Sequence, residues 1–247
     1  MNNNSDDHPV AKPFNKYFDH TLLKPDASAE QMEALFAQAA EYDFASVCVN
    51  SSRVAMAREY MNEAAPGVKV AAVVGFPLGA MNTEAKEFET TQALMDGADE
   101  IDMVINIGVA KDGDWDYVLN EVMTLANICH DKKTASGQPA VLKVIIETCL
   151  LSDDEIVDAC TAAMGGGADF VKTSTGFATP SNGRPSGATV HDIELMKSII
   201  GDFIQIKASG GIRTLEDAKA MIEAGADRLG CSASVDIIKA YNEEISQ

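Results

Sequence analysis

Eight times along this chain a short run rich in Val and Ile gives way to a longer stretch of helical period. No other feature constrains the fold as much. The runs are Tyr17–Leu22, Phe44–Asn50, Val68–Phe76, Glu100–Asn106, Val141–Thr148, Phe170–Ser174, Phe203–Ala208 and Arg228–Cys231. The amphipathic stretches are Ala29–Tyr42, Arg53–Glu63, Thr83–Asp96, Trp115–His130, Asp153–Met164, Val190–Ile200, Leu215–Glu223 and Val235–Glu243. Ser28, Thr83, Ser152 and Thr214 stand where helix N-caps belong. Runs that are apolar on both faces imply parallel strands covered by helices. Eight such units in 247 residues suit a closed barrel better than an open doubly wound sheet. No G-x-G-x-x-G follows the first run, so a dinucleotide site lacks its anchor. The expected fold is therefore α/β, a single (βα)8 TIM barrel over residues 14–247, preceded by a flexible polar leader over 1–13.

A short echo supports the alternation. Met95-Asp96-Gly97-Ala98-Asp99, Gly165-Gly166-Gly167-Ala168-Asp169 and Glu223-Ala224-Gly225-Ala226-Asp227 each lie between a helical stretch and an apolar run. Glycine there ends the helix in the left-handed conformation, and the following residues enter the strand.

Charge narrows the function. With 19 Lys+Arg against 38 Asp+Glu the chain carries −19, so it lacks the basic face that a nucleic acid or an anionic membrane requires. No apolar stretch approaches the ~18–20 residues of a membrane helix, and the N-terminus lacks a secretory signal. A soluble, cytoplasmic protein is expected. Five scattered cysteines without a C-x-x-C pair read as reduced thiols used as apolar filler, and no His or Cys spacing suggests a metal.

In a (βα)8 barrel the chemistry sits at the carboxyl ends of the strands. Three consecutive runs carry a lysine where apolar residues belong: Lys143 in AVLKVIIET, Lys172 in ADFVKTSTG and Lys207 in FIQIKASGG. A buried lysine must be paired or neutral. Ammonium groups crowded together repel, and the easiest relief is for one to give up its proton. A neutral lysine amine is the nucleophile of Schiff-base chemistry. The spacing points to imine catalysis without saying which lysine attacks.

Asp102 lies inside the fourth run, Asp19 in the first, and Glu147 closes the fifth. Alternation puts Lys143, Ile145 and Glu147 on one face, and Asp102 with Val104 and Asn106 on another. These carboxylates either relay protons or form interior ion pairs, the second reading being the stronger for Glu147. His20 reads as a capping or packing group. Small-residue turns follow the last three runs: Ser174-Thr175-Gly176, Ser209-Gly210-Gly211-Ile212-Arg213 and Gly230-Cys231-Ser232. Backbone N–H groups in such turns approach phosphate, and Arg213 adds a charged fork.

DEIDMVIN, KVIIET, VKTSTGF and IKASGGIR, in this order within a match from about Phe14 to the C-terminus, resemble the deoxyribose-phosphate aldolase family, class I aldolases built as (βα)8 barrels. The resemblance implies reversible cleavage of 2-deoxy-D-ribose 5-phosphate to D-glyceraldehyde 3-phosphate and acetaldehyde, in deoxyribonucleotide catabolism, with no metal or organic cofactor. It implies Lys172 as the Schiff-base nucleophile, Lys207 as the neighbour that lowers its pKa, and Asp102 as the proton-transfer carboxylate. Asp19 and Lys143 become the supporting network. Thr175, Gly176, Gly210, Gly211, Arg213, Gly230 and Ser232 become substrate-binding residues, and the protein a homodimer or small homo-oligomer.

The segment from Phe177 to Gly187 looks longer than in many relatives, and Ala233 stands where some carry a second serine. The longer loop is either a surface insertion or a lid that touches phosphate through Arg184. A Schiff-base aldolase using another donor, a phosphosugar isomerase with a carboxylate base, and a non-catalytic phosphosugar-binding protein are the rival readings.

Overall fold

Each apolar run becomes a strand buried on both faces, apolar toward the helices, and each amphipathic stretch becomes a helix laid over the strands. A computed structural model describes residues 12–180 and 183–246. The first half runs β1 (Phe18–Thr21), α1 (Ala29–Glu41), β2 (Ser46–Asn50), α2 (Val54–Ala64), β3 (Lys69–Val74), α3 (Thr83–Met95) and β4 (Glu100–Val104). The chain continues through α4 (Ile107–Lys111), α5 (Trp115–Asp131), β5 (Val141–Ile145), α6 (Asp153–Gly165) and β6 (Phe170–Lys172). It ends with α7 (Val190–Ile200), β7 (Gln205–Ser209), α8 (Leu215–Glu223), β8 (Arg228–Cys231) and α9 (Ser234–Ile245). The eight parallel strands pair in sequence order and close when β8 pairs with β1.

Residues 1–11 of the expected leader lie outside the described residues; Lys12 donates to the Asp227 carbonyl and lies 4.0 Å from the Tyr17 ring centroid. Ser28, Ser152 and Thr214 cap their helices, each in a reciprocal capping box. Thr83 does not. Asn82 holds the extended conformation a cap needs, and its Oδ1 accepts from the Ala85 N–H at 3.1 Å, which leaves Thr83 as the first helical residue. Helix α4, only five residues long, is too short to leave a periodic signal.

The Gly-Ala-Asp echo has a common structural basis. Gly97, Gly167 and Gly225 have φ of 105°, 87° and 116° at the ends of α3, α6 and α8. The aspartate two residues later clasps one residue of the preceding strand through both of its backbone groups. Val70, Leu142 and Ile206 N–H donate to Asp99, Asp169 and Asp227 Oδ2 at 2.9, 2.7 and 2.9 Å. The aspartate N–H groups donate back to the same residues' carbonyls at 2.8, 2.9 and 2.8 Å.

The main apolar core lies between the strands and the helices, and all five cysteines are buried thiols without a disulfide. The barrel interior is filled differently. Alternation stacks side chains in layers of four from alternate strands. The lowest holds Ser46, Glu100, Phe170 and Arg228, the next Asp19, Ala71, Lys143 and Lys207, and the third Cys48, Asp102, Lys172 and Gly230. Cys48, Ala71 and Val73 make a small apolar cluster with Leu23 on the β2–β3 side, whereas the β4–β8 side is charged. One more ion pair is fully buried outside the barrel. Lys86 on α3 donates to Glu121 on α5 and to the Val104 carbonyl, each at 2.7 Å.

Candidate active site

Strand register brings the three lysines and Asp102 together. Asp102 is paired with Lys143 across β4–β5, and Lys172 with Lys207 across β6–β7. Lys143 Nζ donates to Asp102 Oδ1 at 2.8 Å, while Lys172 and Lys207 Nζ both donate to Asp102 Oδ2 at 2.7 Å. Asp19 Oδ2 contacts Lys207 Nζ and lies 3.8 Å from Lys143 Nζ. Lys207 fits because Gly230 has no side chain: a Cβ there would stand 2.9 Å from Lys207 Cε. Two residues that the sequence reading passed over complete the cluster. Arg228 donates to Asp19 Oδ1 at 2.6 Å, and Glu100 Oε2 lies 2.5 Å from Lys143 Nζ and 3.5 Å from Arg228.

The three lysines are not equivalent. Burial pushes the Lys172 ammonium down, Asp102 pulls it back, and Lys207 adds to the fall; its pKa ends below the ordinary lysine value. Burial also works against the charge of Lys207, yet Asp102 and Asp19 outweigh it and hold its pKa above that value. Lys143 is raised as well, by Asp102 and Glu100 against burial. Burial disfavours the Asp102 carboxylate, but the three lysines keep it well below the usual range. All three are buried, and the base most readily neutral, Lys172, sits in the layer nearer the carboxyl ends of the strands than Lys143 and Lys207.

Beyond the carboxyl ends of β1, β6, β7 and β8 lies a cavity of about 260 Å³. Thr175, Gly176, Gly210, Gly211, Arg213, Gly230 and Ser232 all line it, together with Thr21–Lys24 and Phe177. Gly176, Gly210 and Gly211 have φ near +80°, a backbone open to glycine and strained for other residues. Their turns pack closely, since a Cβ on Gly210 would stand 2.9 Å from Gly187 Cα and 3.3 Å from Gly176 Cα. The Phe177–Gly187 loop thus returns onto the β7 turn, where Ala188 N–H donates to the Gly210 carbonyl at 3.0 Å. Arg184 does not line the cavity; it pairs with Asp153 at 2.9 Å and Asp192 at 2.6 Å, tying the loop to α6 and α7.

Glu147 departs from its expected place in an interior ion pair. Its φ of 57° breaks the strand alternation, and its Oε2 accepts from the backbone N–H of Thr175 at 3.1 Å and from the Thr175 hydroxyl. It holds Thr175, which lines the cavity. His20 is a packing group: its Nε2 lies 2.9 Å from Gln38 Oε1 and its ring 5.2 Å from the Phe44 ring, and burial lowers its pKa.

Residues 14–240 match the model of the DeoC/LacD family of aldolases. The chain is 52% identical over 230 residues to a deoxyribose-phosphate aldolase of Thermococcus gammatolerans, covering 93% of this chain and 97% of that protein. It is 51% identical over 224 residues to one of Streptococcus suis, covering 91% and 94%. Among solved structures, a putative deoxyribose-phosphate aldolase from Coccidioides immitis superposes with a TM-score of 0.83 at 36% identity, over 95% of this chain and 88% of that one. The structure described as a unique tetrameric deoxyribose phosphate aldolase from Aeropyrum pernix gives 0.81 at 30% identity, over 94% and 92%.

Proposed function

The chain belongs to the DeoC/LacD family of aldolases, and on that premise we propose that it cleaves 2-deoxy-D-ribose 5-phosphate reversibly through an imine on Lys172. One observation carries the assignment of the nucleophile. Three interior lysines share a single carboxylate; Lys143 and Lys207 each have a second one in Glu100 and Asp19, whereas Lys172 pairs with Asp102 and has a lowered pKa.

Neutral Lys172 attacks C1 of the open-chain sugar, and loss of water leaves a protonated imine. The C3 hydroxyl gives up its proton through water to Asp102, the C2–C3 bond breaks, and its electron pair flows into the imine. D-Glyceraldehyde 3-phosphate departs and an acetaldehyde enamine stays on Lys172. Asp102, working through water, returns a proton to C2, and hydrolysis frees acetaldehyde and the amine. Lys207 stays charged beside Lys172 and favours its neutral form. The glycine turns and Ser232 hold the phosphate at the mouth, with Arg213 on the rim. Asp19 and Lys143 keep Asp102 and Lys207 oriented.

Among the described residues no helix is long and apolar enough to cross a membrane. The tetramer of the Aeropyrum pernix relative supports a homo-oligomeric assembly, and a cytoplasmic setting agrees with a phosphorylated substrate. Borohydride added with acetaldehyde should fix a two-carbon adduct on Lys172, and Lys172→Leu should lose both adduct and turnover. An adduct on Lys143 or Lys207 would move the nucleophile. A protein that turns over deoxyribose phosphate yet ignores borohydride would remove the imine altogether.

A further inference from the structure

Three carboxylates, Asp19, Glu100 and Asp102, and four bases, Lys143, Lys172, Lys207 and Arg228, meet inside the barrel. Two arms of contacts lead from Arg228 to Asp102. One runs through Asp19 and Lys207, the other through Glu100 and Lys143. Lys143 and Lys207 each sit between carboxylates of different residues. Lys172 hangs from the end of the network, sharing with Lys207 one oxygen of Asp102.

We infer that Arg228 and Glu100, in the lowest layer of the barrel, are positioning residues that set the interior charge so that Lys172 is the one base with no carboxylate beyond the Asp102 it shares with Lys143 and Lys207. The inference rests on the reading of Lys172 as the imine-forming amine. Three permanent cations, Arg228, Lys143 and Lys207, match three carboxylates, and a proton on Lys172 would be a fourth positive charge in a buried cluster. Charges there act over several ångströms because little solvent screens them. A change of one unit charge within this network shifts the titration of Lys172 by on the order of one pH unit.

The surroundings leave this count unchanged. Strand β2 contributes Cys48, whose thiol burial holds in the neutral form, and β3 contributes only Ala71 and Val73. Glu147 is engaged with Thr175, and His20 with Gln38. At the amino end Lys12 and Asp227 flank Arg228 with one charge of each sign.

The test is the pH dependence of acetaldehyde–borohydride trapping at Lys172, mapped by mass spectrometry, alongside the acidic limb of kcat/KM for 2-deoxyribose 5-phosphate. Arg228→Met removes a cation, so both midpoints should rise by about one pH unit. Glu100→Gln removes an anion and should lower them by a similar amount. The double variant should return close to the parent, and Arg228→Lys, which keeps the charge, should not move. Losses of activity with unmoved midpoints, or shifts of the same sign in both single variants, would overturn the inference and leave a packing role. If Arg228→Met does not fold, the downward shift in Glu100→Gln decides alone. An adduct mapped to another lysine in the parent protein overturns the imine assignment itself; an adduct on Lys172 with an unmoved midpoint overturns only the charge-setting role.

Discussion

Lys172 and Lys207 are register partners on adjacent strands, and their amines donate to the same oxygen, Asp102 Oδ2, each at 2.7 Å. One carboxylate oxygen does not offset two ammonium groups. Lys207 has Asp19 as a second partner, whereas Lys172 has none among the ion pairs of the cluster. The asymmetry divides the labour between two chemically identical side chains.

Replacing Lys207 by leucine should remove the repulsion that helps keep Lys172 neutral. The acidic limb of kcat/KM should move to higher pH, with activity at pH 7 falling by about 10²-fold or more and partly returning in alkaline buffer. A uniform loss at every pH would show that Lys207 acts otherwise.

Gly210→Ala should damage the phosphate site in particular. The added methyl meets Gly187 Cα at 2.9 Å, and φ of +80° already strains a non-glycine residue. Cleavage of 2-deoxyribose 5-phosphate should drop by about 10- to 100-fold in kcat/KM, with unphosphorylated 2-deoxyribose much less affected. Equal losses for the two sugars would argue that the turn does not hold phosphate.

Much of this arrangement is legible in the residues. The two periods of hydrophobicity specify eight strand–helix units, and lysines at strand ends stand out because nothing in a parallel barrel tolerates them cheaply. Arg228 and Glu100 do not stand out, since each is the first residue of its run directly after an aspartate, where a charge at the mouth of a strand is unremarkable. Only the register, which points both side chains inward, separates them from surface charge. Glu147 is hidden for the opposite reason: alternation assigns it a face, and a left-handed backbone turns it away. Asn82 and Thr83 are both good capping residues, and only the local dihedrals choose between them.

Acid should unfold the barrel through its interior. The Asp19 and Asp102 carboxylates have pKa values lowered by the bases around them, against the cost of burial. Their contribution to stability is therefore complete above the unfolded value near 3.9 and is lost as pH falls below it. Urea midpoints should be flat from pH 8 to about 5 and fall steeply below about 4. Asp19→Asn should cost about 3–5 kcal/mol at pH 7, because Arg228 and Lys207 lose a charged partner, and should weaken the acid dependence. A variant with the parent's stability would contradict this account.

Asp227→Ala should destabilise by about 1–3 kcal/mol, because the buried Ile206 N–H loses its acceptor. Asp227 is far from the cavity wall, so KM for the sugar phosphate should not change. Denaturant melts and steady-state kinetics on one preparation separate the two effects.

Lys86→Met should leave Glu121 buried without a partner and cost about 3–5 kcal/mol. A Lys86→Met/Glu121→Leu double variant should recover most of that stability. If the single and double variants melt together, the pair is not coupled.

The three aspartate clasps lie at the rim of the barrel opposite the chemistry. There the chain fastens β4, β6 and β8 to the strands before them with a backbone pair and a carboxylate, repeated in the same three-residue phrase. These three clasps involve none of the loops at the carboxyl rim, so a change of residues in those loops leaves the clasps intact. A barrel built this way can exchange what it recognises while keeping what holds it shut.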